Sequence, residues 1–100
     1  VTTPKRSPAL PNLPTMNSFY PGFESGNWYA MFYPKGTPKA IIDKMNSEIR
    51  KALASQEVKD FYPKQALEAV GSTPAELATF LKSEIQKYAK VIKAANIPTT

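Results

Sequence analysis

Seven of the chain's ten prolines, Pro4, Pro8, Pro11, Pro14, Pro21, Pro34 and Pro38, fall within its first 38 residues. A proline ring fixes φ and removes a backbone donor, so neither a continuous helix nor a central strand can run through that third. It is expected to be extended and irregular. One run inside it differs. Asn27 to Tyr33 holds Trp28, Tyr29, Met31, Phe32 and Tyr33 without Pro or Gly, apolar on both alternating faces, which is the pattern of a buried strand. Pro34 ends that run and Gly36 turns the backbone. Thr37 and Pro38 then offer an N-cap followed by the favoured first helical residue.

From Pro38 to about Ala54 the apolar residues Ile41, Ile42, Met45, Ile49, Ala52 and Leu53 share an arc of about 120° on a helical wheel, which predicts an amphipathic helix. Ser55 can cap a shorter helix from Gln56 to about Tyr62, with Pro63 as its stop. Ala66 to Val70 reads as a short strand, broken by Gly71. The sequence Thr73-Pro74-Ala75-Glu76 is a capping box with proline at the first position, so a last helix starts there. Leu77, Phe80, Leu81, Ile85, Tyr88, Val91, Ile92 and Ala95 lie on one arc of it, and Lys82, Lys87, Lys90 and Lys93 on the other. Asn96 suits a left-handed stop, and Pro98 follows.

A chain of 100 residues with 42% hydrophobic and 21% charged residues has the usage of one folded unit or a piece of a larger one. It contains neither Cys nor His, which excludes thiolate nucleophiles, disulfides, Cys/His zinc sites and imidazole catalysis. No second carboxylate stands at the spacing of an acid/base pair or a metal cage, and no glycine pattern suits a phosphate. No catalytic residue, metal site or cofactor is therefore expected, and the chain reads as a non-enzyme. No apolar run approaches the ~20 residues needed to cross a bilayer, and no charged-then-apolar stretch with a cleavage site reads as a leader within these residues. The start at Val1 in place of Met leaves open an upstream part and a secreted origin.

The net charge of +5 reads first as solubility, and otherwise as attraction to nucleic acid, an anionic membrane or a small acidic ligand. Seven of eleven aromatics crowd into Phe19 to Tyr33, a stretch with one acid, Glu24, and no basic residue. Single-strand nucleic-acid sites interleave aromatics with Lys and Arg, so a packed core is the better reading and nucleic acid is not expected. The lysine face of the last helix reads first as a solvated surface. Its alternative is a small basic interaction module for an acidic partner or nucleic acid. Glu84 is the odd residue. It falls inside the apolar arc, where an unpaired carboxylate is costly, and it needs an amide, lysine or hydroxyl from a neighbouring segment.

Specific strings carry a family resemblance. Lys5-Arg6-Ser7-Pro8-Ala9-Leu10-Pro11-Asn12-Leu13-Pro14-Thr15, Pro21-Gly22-Phe23-Glu24, Asn27-Trp28-Tyr29 and Pro34-Lys35-Gly36-Thr37-Pro38-Lys39 occur in that order. Ile42-Asp43-Lys44-Met45-Asn46, Glu57-Val58-Lys59, Gly71-Ser72-Thr73-Pro74 and the stretch from Glu84-Ile85 to Ala94-Ala95 follow. Together they resemble the receptors of tripartite tricarboxylate transporters, the Bug proteins, over essentially the whole chain. Family members usually carry a Glu and a Gly where this chain has Met16-Asn17-Ser18-Phe19-Tyr20, so any role of that acid does not transfer.

The resemblance implies an α/β fold, the C-terminal fragment of a two-lobed, type II periplasmic-binding-protein-like architecture, with one or two short strands and three helices. Residues 1–26 are then a crossover segment returning from lobe two, and residues 27–100 complete lobe one against sheet strands supplied elsewhere. It further implies a periplasmic protein that binds a small carboxylate between its lobes, closes on a hinge and engages membrane transporter subunits, with no cofactor. Most ligand contacts belong to other segments, and this piece provides scaffold and hinge. Asn27, Trp28 and Tyr29 are the expected cleft-bordering residues. An incomplete lobe exposes apolar faces, so the isolated chain is expected to self-associate.

Overall fold

The amphipathic stretch after Pro38 forms helix α1, Lys39–Leu53. Its entry differs by one residue from the sequence expectation. Thr37 does not cap it: the Thr37 hydroxyl and amide both donate to the Pro34 carbonyl, at 2.8 and 3.2 Å, and close the turn around Gly36. Gly36 takes φ +91°, which a side chain would oppose. Pro38 stays non-helical and its carbonyl receives the first helical amides, Ile41 at 3.1 Å and Ile42 at 3.3 Å. Lys39 pairs with Asp43, and Lys51 with Glu48, on exposed positions.

Ser55 accepts from the Val58 amide at 3.4 Å and opens α2, Gln56–Phe61, as its position predicts. Pro63 does not end the coil at once, because the chain tightens into a 3-10 turn, Tyr62–Gln65, whose early positions need no amide from proline. That turn closes on Ala66 at φ +55°, with Leu67 N–H bonded to Tyr62 O at 2.9 Å and Ala66 N–H to Pro63 O at 3.1 Å. The strand expected over Ala66 to Val70 is absent: its first residue is left-handed, and no neighbouring strand lies beside the rest.

Helix α3, Pro74–Ala94, starts on the full capping box. The Thr73 hydroxyl accepts from Glu76 N–H at 3.2 Å while Glu76 accepts from Thr73 N–H at 2.8 Å. It ends where expected. Asn96 sits at φ +52°, with Ile97 N–H on Ile92 O at 3.1 Å and Asn96 N–H on Lys93 O at 3.3 Å. The start of α3 is tied to α1 by Asn46, whose amide donates to Ser72 O at 2.9 Å. Gly71, at φ +60°, lets the chain pass against Leu53 and Arg50 of α1, whose side-chain carbons would stand 3.7 and 3.8 Å from an added Cβ.

The computed structural model describes residues 1–99; the last position of the predicted 27–100 unit lies outside them. Residues 1–26 are irregular, as the prolines require, but fold back on themselves. Met16 N–H bonds to Val1 O at 2.8 Å, Ser25 N–H to Thr2 O at 3.1 Å, and a 3-10 turn, Met16–Ser18, sits between. No strand occurs among the described residues. Asn27 to Tyr33 makes no backbone hydrogen bond there, so its strand-like pattern has no ladder to join. Among the described residues no helix is long and apolar enough to cross a membrane.

No apolar side chain among the described residues is fully buried, and the two buried residues are polar, Thr15 and Glu84. Thr15 is satisfied by Ser18, hydroxyl to hydroxyl at 2.9 Å. The Cα radius of gyration is 16.6 Å, against about 13 Å for a compact domain of this length. Both amphipathic helices therefore keep much of their apolar arcs in solvent, with Ile41 of α1 51% exposed and Ile85 of α3 62% exposed.

Candidate functional site

Asn27, Trp28 and Tyr29 follow the last turn of the proline-rich segment, and all three are exposed. Trp28 packs edge-to-face with Phe80 of α3, ring centroids 5.2 Å apart at 79°. Tyr29 touches little and is 86% exposed. Farther along, the Tyr33 hydroxyl reaches the Met31 sulfur at 4.0 Å, so side chains two residues apart share a side, as in extended backbone. Of the three, Trp28 packs on α3 while Asn27 and Tyr29 are exposed.

One turn beyond Phe80, Glu84 is 7% exposed in the apolar arc. Its partner comes from its own helix, not from the neighbouring segment the sequence suggested: Lys87 Nζ stands 2.6 Å from Glu84 Oε1. The same ammonium lies 5.1 Å from the Tyr88 ring centroid. The hydrogen bond that Lys87 donates to Glu84 holds its ammonium above the ordinary lysine value against the opposing cost of burial, and the charges of Glu84, Tyr88 and Glu24 act in the same direction. Lys87 is thereby withdrawn from the lysine face, which keeps Lys82, Lys90 and Lys93 exposed. A wheel shows the anomaly at Glu84. It does not show that a lysine at its margin would reach back to it.

Two shallow grooves are lined by other parts of the helices. One runs between α1 and the start of α3, lined by Asp43, Asn46, Arg50, Thr73 and Pro74 among others; the second is lined by Leu53, Lys59, Val70 and Gly71 among others. Neither includes residues 27–29. Glu76 stands at the N-terminus of α3, where the Thr73 amide and then its hydroxyl hold the carboxyl below its usual range, with Arg50 contributing.

Residues 1–97 match the sequence profile of the tripartite tricarboxylate transporter family receptor. The chain is 37% identical over 94 residues to the UPF0065 protein in the tcbD-tcbE intergenic region of Pseudomonas sp. (strain P51), an alignment covering 92% of this chain and 28% of that protein. Protein BugT of Bordetella pertussis is 37% identical over 89 residues, covering 88% of this chain and 27% of BugT. The structure of the periplasmic binding protein BugD superposes with a TM-score of 0.82 at 34% identity, over 99% of this chain and 34% of that one. The chain thus spans about a third of the length of these relatives. The looped segment, the three helices and their order are those of part of a periplasmic binding protein. On the match from residue 1 to residue 97, this chain belongs to the tripartite tricarboxylate transporter family of receptors.

Proposed function

We infer that this chain is the part of an extracytoplasmic, periplasmic solute-binding receptor that completes one lobe of a two-lobed, type II fold. The parent captures a small carboxylate between its lobes and presents it to membrane transporter subunits, without covalent chemistry. The observation that carries this reading is the superposition of nearly the whole chain on a third of a periplasmic binding protein. The open apolar arcs of α1 and α3 support it, since they suit a piece that packs against further chain.

In this reading residues 1–26 cross between the lobes and residues 27–100 finish lobe one, with Asn27 to Tyr33 as a strand whose neighbours lie in other parts of the receptor. Asn27, Trp28 and Tyr29 stand at the lobe junction and border the cleft. Asn27 and Tyr29 supply an amide and a phenol that can donate to a carboxylate. Apart from those other parts, the 100-residue chain self-associates through its apolar arcs. Light scattering on it should show a mass that rises with concentration, and one monomer mass throughout would refute that.

Thermal denaturation of the full receptor against a panel of small solutes tests the ligand class. A carboxylate such as citrate or succinate at 100 times its Kd should stabilise by about 2.7 kcal/mol. Stabilisation by neutral or cationic solutes, with none by any carboxylate, would overturn the reading.

A further inference from the structure

We propose that residues 5–13 form a docking knuckle: a stiff double turn that offers Leu10 and Leu13, beside the cations of Lys5 and Arg6, to an acidic patch with an apolar floor on a membrane transporter subunit. The choice of partner rests on the proposed reading of the chain as part of a transport receptor. The shape and charge of the knuckle do not.

The sequence repeats a four-residue turn. Ser7-Pro8-Ala9-Leu10 and Leu10-Pro11-Asn12-Leu13 share Leu10, and each puts proline at the second position, where its fixed φ suits a β-turn. Both turns are closed, by Leu10 N–H on Ser7 O at 3.0 Å and Leu13 N–H on Leu10 O at 3.1 Å. Ala9 N–H also donates to the Ser7 hydroxyl at 3.3 Å, and Arg6 Nη1 donates to Pro11 O at 3.1 Å across both turns. Below them the Thr3 hydroxyl donates to Lys5 O at 2.7 Å, and the amides of Met16 and Ser25 close the base of the loop on Val1 O and Thr2 O. The knuckle is held by its own backbone and prolines, without a core beneath it.

Each turn ends on a leucine that stays in solvent, Leu10 at 51% and Leu13 at 48% exposure. Single exposed apolar side chains are ordinary. Two in one stiff loop, next to two exposed cations, make a small amphiphilic patch. Residues 1–23 contain Lys5 and Arg6 and no acid, so the patch is complementary to an acidic surface. The apolar arcs of α1 and α3 are different, since their residues recur with the helical period and suit packing against further chain. A small carboxylate is too short to meet two leucines and two cations together. A lipid surface is also a poor match: two leucines bury less apolar area than one myristoyl chain, which by itself holds a protein on a bilayer only marginally. A protein patch with carboxylates around an apolar floor uses all four side chains, and a preorganised loop loses little entropy on meeting it.

The test uses the full receptor and its membrane subunits in lipid nanodiscs, with docking read by surface plasmon resonance in the presence of whichever of citrate or succinate stabilises the receptor. Leu13→Cys in the folded receptor should react promptly with a maleimide, mapped by mass spectrometry; protection would mean that other parts of the receptor cover the knuckle, and would overturn the proposal. Leu10→Ser/Leu13→Ser should weaken docking at least about tenfold, the scale of two leucines losing their burial. Lys5→Glu, on a side chain in no ion pair among the described residues, should weaken docking about threefold at low salt and flatten its salt dependence. Carboxylate binding and the melting curve should stay native in both, which separates a lost contact from a lost fold. Unchanged docking in both variants would overturn the proposal and leave the receptor reading intact. Loss of carboxylate binding in them would put the knuckle in the cleft and overturn it too, as would binding to nanodiscs without subunits that the same variants abolish. A native receptor that binds neither carboxylate nor subunits would overturn the receptor reading, and the proposal with it.

Discussion

A carboxylate among the apolar positions of a helix costs several kcal/mol unless a partner reaches it, and Glu84 has that partner in Lys87. Removing the partner is therefore worse than removing both. Lys87→Met in the full receptor should destabilise by about 1–2 kcal/mol, discounted from a fully buried pair because the lysine is partly in water. The Glu84→Met/Lys87→Met double variant should return to within about 0.5 kcal/mol of the native protein, since well-packed apolar residues replace such pairs with little loss. Urea denaturation of the three proteins measures both; equal losses in the single and double variants would contradict the pairing. At this scale the sequence was half legible. The position of Glu84 on the wheel announces a buried charge, but the wheel puts its i,i+3 partner Lys87 on the solvent face. Ala66 gave no signal, because nothing about alanine advertises a left-handed residue that costs roughly 1–2 kcal/mol relative to glycine's freedom.

Among the elements, the three helices were readable because their signals are local. Periodicity locates the apolar arc, and Ser55, Thr73 and Glu76 satisfy amide groups within a single turn. Thr73→Ala removes one half of the box at the start of α3 and should cost about 1 kcal/mol, read by urea denaturation followed by far-ultraviolet circular dichroism. Glu76 adds a pH signature. Its folded carboxyl titrates below the unfolded one, so its contribution is complete above the ordinary carboxyl value and is lost as pH falls through the lowered one. Glu76→Gln keeps the reciprocal hydrogen bond and should flatten that acid limb; an unchanged limb would show that other carboxylates set it. Strands were not readable in the same way. A strand exists only beside another strand, and the run from Asn27 to Tyr33 has the right residues but no neighbour among the described residues. The site residues inherit that gap: their order along the chain was legible, while the split between Trp28 on Phe80 and an exposed Tyr29 needed α3 in place.

The whole molecule has helices that superpose on part of a periplasmic binding protein, and a surface rich in exposed apolar side chains. A chain with a 16.6 Å radius of gyration and no fully buried apolar side chain among its described residues has not closed a core of its own. Nearly all of it nevertheless superposes on a third of a periplasmic binding protein. The central claim is that the apolar strand-like run and helix arcs are finished by other parts of the receptor. Amide hydrogen exchange across residues 27–33 tests it most directly, compared between the 100-residue chain at a dilution where it is monomeric and the full receptor. Fast exchange in the chain and strong protection in the receptor is the expected result; strong protection of those amides in the monomeric chain would contradict the account.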